Sequence, residues 1–147
     1  MDEKIILLIE DNQDDIKLTQ RAFNRSNFVE KIRLDVVNNG DDAIDYLFGE
    51  RSNIYSNSRI MPSVILLDLN LPRIDGFQIL ERIRADKRTK LIPVIILTSS
   101  MEEWDIKKAY SLGANSYIRK PVDFKKFSDV AQQMGLYWTS LNESPHV

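Results

Sequence analysis

Cysteine is absent from this chain of 147 residues, and histidine occurs once, as His146 close to the C-terminus. Disulfide frameworks, zinc-thiolate sites and cysteine nucleophiles are therefore excluded, and histidine catalysis nearly so. Long apolar runs are missing too. The longest, such as Ile5 to Ile9, fall far short of the roughly 20 residues that a membrane-spanning helix needs. The acidic start Met1-Asp2-Glu3 also lacks the cationic region of a signal peptide, so we expect a soluble, cytoplasmic protein with no membrane partner. Nor is there a basic run or stripe: 20 Lys plus Arg against 22 Asp plus Glu leave a net charge of −2. Nucleic acid is not expected as a partner.

What is present is the composition of a globular domain. Hydrophobic residues make up 43% and charged residues 29%, enough apolar surface to offset the chain entropy lost on folding. The length suits one domain over residues 1–147, without internal repeats. Five short apolar runs read as strands: Ile5 to Ile9, the alternating Ile32 to Val37, Val64 to Leu67, Val94 to Leu97 and Ser116 to Ile118. Continuous β-branched runs of this kind imply strands covered on both faces.

Helical spacing fills the intervals. Ile16, Thr19, Ala22 and Phe23 share one face, as do Ala43, Ile44, Leu47 and Phe48, then Ile79, Leu80 and Ile83. Ile106, Ala109 and Leu112 form a fourth stripe, and Phe127, Val130, Ala131, Met134, Trp138 and Leu141 a fifth. Ser100 with Glu103 reads as a capping box, Asp75 and Asp123 as N-caps and Gly113 as a C-cap. Strict strand-helix alternation implies an α/β fold, a five-stranded parallel sheet with helices on both faces, and five such strands most often take the flavodoxin-like order 2-1-3-4-5. The polar stretch Gly49 to Pro62 exceeds a usual connection and reads as an extended surface loop, with a short tail at 142–147.

In open parallel sheets ligands bind at the carboxyl ends of the strands. The first strand runs into Glu10-Asp11, the third into Asp68, the fourth into Thr98-Ser99 and the fifth into Lys120-Pro121. Three carboxylates gathered there repel one another unless a cation neutralises them, and an all-oxygen donor set suits Mg²⁺. Lys120 can balance phosphoryl charge and Thr98 can donate to it, which makes an electrostatic clamp for phosphoryl transfer. Singly, each residue has a blander explanation: helix-dipole complement for the acidic pair, a loop carboxylate, a cap, a solvated lysine. Their joint arrival at one sheet edge, in chain order, favours a site.

The acidic pair Glu10-Asp11, the segment LLDLNLPRIDG around Asp68, LTSS around Thr98 and the RKP segment with Lys120-Pro121 resemble the response-regulator receiver domains of two-component signalling, over roughly residues 4 to 141. The resemblance implies that Asp68 accepts a phosphoryl group from a sensor histidine kinase, and that Glu10, Asp11, Asp68 and the Asn70 carbonyl surround Mg²⁺. It also implies that Thr98 and Lys120 contact the phosphoryl group, that Tyr117 is the switch aromatic, and that the Lys120-Pro121 bond is cis. Glu10 stands where the family often has Asp, which leaves direct and water-mediated metal contact both open. The long polar stretch and Tyr137-Trp138 are similar, more weakly, to receivers paired with phytochrome-type kinases.

Two rivals are weighed against this reading. A phosphatase of the haloacid dehalogenase type wants a second acid two residues after its nucleophile, where this chain has Asn70. A pseudo-receiver adaptor would have lost the acidic pair, the acceptor or the lysine, and none is lost. The protein is expected to signal by association, assisting its own phosphorylation and dephosphorylation rather than acting as an enzyme. Trp104, Tyr110, Tyr117, Phe124 and Tyr137, on or near the last two helices and fifth strand, suggest a homodimer or kinase-binding face there.

Overall fold

The structure, a computed structural model, describes residues 4–25, 32–49, 61–120 and 123–145. Its strands are β1 (Lys4–Ile9), β2 (Ile32–Val37), β3 (Val64–Leu67), β4 (Val94–Thr98) and β5 (Ser116–Arg119). They alternate with α1 (Gln13–Arg25), α2 (Gly40–Phe48), α3 (Gly76–Ala85), α4 (Glu103–Ser111) and α5 (Phe124–Leu136), the last continuing as a π-helical turn, Tyr137–Leu141. The strands pair in parallel in the order β2-β1-β3-β4-β5, the expected flavodoxin-like order.

The side-chain alternation of each strand divides the core in two. Leu7, Ile9, Ile65, Leu67, Val94 and Ile96 point toward α2, α3 and α4, where they meet Ala43, Leu47, Ile79, Leu80, Ile83 and Ala109. Ile6, Leu8, Val64, Leu66, Ile95 and Leu97 point the other way, toward Ile16, Ala22 and Phe23 of α1 and Phe127, Ala131 and Met134 of α5. This explains why β1, β3 and β4 are apolar at nearly every position: each is covered on both faces.

The helix starts follow local chemistry. Asn12 Oδ1 accepts from Asp15 N at 3.0 Å ahead of α1, Asn39 caps α2, Asp75 and Gln78 form a capping box on α3, and Asp123 caps α5. Gly113, just past α4, adopts φ +106°, the left-handed end that favours glycine.

Two expectations need correction. Ser100 and Glu103 form no capping box: α4 begins at Glu103, and Ser100 Oγ instead donates to Asp105 Oδ2 at 2.7 Å. The hydroxyl thus sits outside the helix and pairs with a side chain of its first turn. Leu141 does not join the α5 stripe but is 64% exposed, because the π-helical turn shifts the phase and turns Thr139 inward instead. Residues 50–60 of the long polar stretch, together with Pro121 and its expected cis bond, lie outside the described residues.

Candidate functional site

The strand ladders themselves deliver the site. Beyond the last residues of β1 and β3, Glu10 N donates to Val37 O at 3.1 Å and Asp68 N to Ile9 O at 3.0 Å. Past β5, Lys120 N donates to Thr98 O at 2.8 Å. Glu10 and Asp68 are therefore each one ladder bond past a buried strand, and Lys120 one past the half-buried β5. The β3–α3 loop folds back tightly, with Gly76 N donating to Leu69 O at 3.0 Å. A Cβ at Gly76 would lie 2.4 Å from Asp68 O and 2.7 Å from Leu69 Cα, so only glycine fits against the backbone of Asp68. In the same loop Arg73 holds φ 65°, and its guanidinium pairs with Asp41.

Carboxylate oxygens of Glu10, Asp11 and Asp68 lie within 4.8 Å of one another. Glu10 and Asp68 are buried, Asp11 is exposed and Thr98 is fully enclosed. The Lys120 ammonium enters this cluster from β5, bonding Glu10 Oε1, Asp15 Oδ2 at 2.8 Å and Asp68 Oδ2 at 3.2 Å. Backbone amides complete the shell, Asn12 N to Glu10 Oε2 and Asn70 N to Asp68 Oδ1, each at 3.3 Å.

The electrostatics follow from burial. Desolvation, reinforced by Asp68, pushes the Glu10 carboxyl up to about 8, with Lys120 opposing. Burial also works to raise Asp68, but hydrogen bonding from Glu10, the Lys120 charge, the Thr98 hydroxyl and the Asn70 amide outweigh it and hold Asp68 below its ordinary value. Asp68 is thus the ionised partner of a pair that shares a proton. Lys120 is raised: burial disfavours its charge, yet Asp15, Glu10 and Asp68 overcome that. Oxygen donors carrying this excess of negative charge suit a hard divalent cation.

Tyr117 lies beside this cluster rather than in it. Half-buried, it donates its hydroxyl to Ser100 O at 2.9 Å, while Ser100 N approaches Thr98 Oγ1 at 3.4 Å. Asn70 joins the cluster through its amide and is otherwise exposed. Asp15 is the residue that sequence reasoning missed. Its only signal was a place in the first turn of α1, just after the acidic pair, where an Asp is ordinary dipole chemistry.

Residues 6–132 match the family model of the response regulator receiver domain. The chain belongs to that family. This receiver domain is 38% identical over 144 residues to the probable methanogenesis regulatory protein FilR2 of Methanothrix harundinacea, covering 98% of this chain and 89% of the relative. Among solved structures, the phosphorylated cyanobacterial phytochrome response regulator RcpA superposes with a TM-score of 0.88 at 36% identity, covering 99% of this chain and all of the other. The Mn²⁺-bound form of response regulator Rcp1, a protein of Synechocystis, gives 0.84 at 34% identity, covering 97% and 99%. The receiver is thus a component of two-component signalling, built on the doubly wound sheet that its neighbours share. Among the described residues, no helix is long and apolar enough to cross a membrane.

Proposed function

We propose that this receiver takes a phosphoryl group onto Asp68 from the phosphohistidine of a sensor histidine kinase. The observation that carries the reading is Asp68 itself, a buried carboxylate at the end of β3 held ionised beside a buried ammonium. An Asp68 oxygen attacks phosphorus in line, the P–N bond breaks, and the imidazole of the kinase leaves with the electron pair. Such a transfer needs positioning and charge neutralisation rather than a general base, which suits a site that holds no histidine among the described residues. Hydrolysis of the acyl phosphate by water resets the protein.

Glu10, Asp11, Asp68 and the Asn70 carbonyl are the groups to hold Mg²⁺, supported by the 4.8 Å carboxylate cluster and by the Mn²⁺-bound form of Rcp1. The cation would supply charge neutralisation for the phosphoryl oxygens. Lys120 and Thr98 contact the phosphoryl group from the protein side, and Tyr117 responds by turning toward the space beside Thr98, repacking the face of α4, β5 and α5. A phytochrome-type kinase is favoured as partner by the likeness to RcpA, whose structure is that of a phytochrome response regulator. Association of two copies through that same face is supported by Trp104, Tyr110 and Tyr137, which are 73%, 50% and 48% exposed. Phe124 drops out of that face, since Arg21 and Arg25 cover its ring at 4.7 and 5.2 Å.

Intact mass after acetyl phosphate and Mg²⁺ tests the assignment. One phosphoryl group should be added to the native chain and none to Asp68→Asn; equal uptake by both refutes it. Sedimentation with and without beryllofluoride tests the self-association.

A further inference from the structure

The Lys120 ammonium has three N–H groups, and carboxylates engage all three: Glu10, Asp15 at 2.8 Å and Asp68 at 3.2 Å. Glu10 and Asp68 also belong to the carboxylate cluster with Asp11; Asp15 does not. A cation entering that cluster, or a phosphoryl group formed on Asp68, therefore competes with Lys120 for two of its three acceptors and leaves the third in place. Asp15 is well fixed for that role. Its amide donates to Asn12 Oδ1 at 3.0 Å, and its carbonyl accepts the hydroxyl of the buried Thr19 at 2.8 Å. The pair also differs in burial, with the Lys120 side chain 9% exposed and that of Asp15 32%.

From this arrangement we infer that Asp15 is a positioning residue for Lys120. It anchors the ammonium at the rim of the site when Glu10 and Asp68 are drawn to other partners, so that the released N–H groups point at the phosphoryl oxygens. Charge-assisted bonds are shorter and stronger than neutral ones. Without Asp15, a nearly enclosed ammonium at the moment of transfer would have to find its partner by moving. The inference rests on the reading of Asp68 as phosphoacceptor.

The test is a double-mutant cycle. Phosphorylation by acetyl phosphate with Mg²⁺ is timed by intact mass for the native chain, Asp15→Ala, Lys120→Met and the double variant, with circular dichroism to verify folding. Asp15→Ala should slow phosphorylation roughly 10- to 100-fold, the scale of a misplaced group in a near-attack arrangement. In the Lys120→Met background the same change should add no further slowing. Asp15→Asn, which keeps an acceptor oxygen without the charge, should fall between native and Asp15→Ala, and it carries the same cycle if the alanine variant does not fold. Native rates in Asp15→Ala, or additive slowing in the double variant, overturn the inference. Loss of Mg²⁺ binding in Asp15→Ala as complete as in Asp11→Ala makes Asp15 a ligand and overturns it too. A native chain that takes up no phosphoryl group refutes the reading of Asp68, and the inference falls with it.

Discussion

Tyr117 Oη donates to the backbone carbonyl of Ser100 at 2.9 Å, tying the middle of β5 to the segment that leaves β4. The ring cannot turn toward Thr98 without breaking this bond. Tyr117→Phe should therefore lose about 1 kcal/mol of stability, the net value of one such hydrogen bond, as read by urea unfolding. It should also remove a bond that favours the turned-out ring, so beryllofluoride should shift the ring resonances of Phe at 117 further toward the activated state than those of Tyr117.

Glu10 sets a pH dependence on the metal-free protein. Its carboxyl is raised from 4.5 to about 8, first by burial and then by Asp68, so the folded state holds that proton more tightly than the unfolded chain. The stabilisation is complete below the ordinary value and is lost as pH rises through about 8. Urea midpoints in EDTA should therefore fall between pH 5 and 8.5, and Glu10→Gln should flatten that fall. An unchanged slope in Glu10→Gln would refute the assignment.

Asp11 is the exposed member of the carboxylate cluster. Asp11→Ala should remove an anionic donor while relieving repulsion among the three. We expect Mg²⁺ affinity to fall by more than the roughly 10- to 100-fold typical of losing an outer partner, with a melting temperature at or above that of the native chain. Calorimetric titration and a thermal melt measure both.

At the opposite edge of the sheet Arg84 works as a clasp. Its guanidinium donates to the carbonyls of Gly113 at 2.9 Å, Ile92 at 2.8 Å and Lys90 at 3.1 Å, and to Asn115 Oδ1 at 2.7 Å. Asn115 Oδ1 in turn accepts from Val94 N at 2.8 Å, so one side chain joins the end of α3 to the start of β4 and the α4–β5 turn. A lysine cannot reproduce this planar fork. Arg84→Lys should cost about 2–3 kcal/mol in urea unfolding, since several charge-assisted bonds are lost from a half-buried position.

Gly76 bears on the site through its backbone. With Asp68 O only 2.4 Å from where a Cβ would stand, Gly76→Ala must push the β3–α3 loop away from α3. We expect a loss of about 1–3 kcal/mol, the usual cost of overpacking, together with slower uptake of phosphoryl groups from acetyl phosphate. Uptake at the native rate would show that Asp68 tolerates the displacement.

The strands take the order that five such alternating strands most often adopt, and the chain's periodicities alone determined the two faces of the sheet and the arrival of Glu10, Asp11, Asp68, Thr98 and Lys120 at one edge. They could do so because parallel pairing carries the ladder one residue past each strand, and a residue that follows an apolar run has little choice of place. Local motifs read truly at Asp75 and Asp123, which cap α3 and α5, but not at Ser100 and Glu103, because the Ser100 hydroxyl is taken by Asp105. Tertiary structure alone decided matters that depend on a partner distant in sequence. Asp15 meets Lys120 across 105 positions, Arg21 and Arg25 cover Phe124 from another helix, and a π-helical turn exposes Leu141 while burying Thr139. The raised carboxyl of Glu10 belongs with these. Its sequence says only that a carboxylate follows a strand, whereas the cost of ionising it is set by how completely the fold removes it from water and by which charges the fold sets beside it.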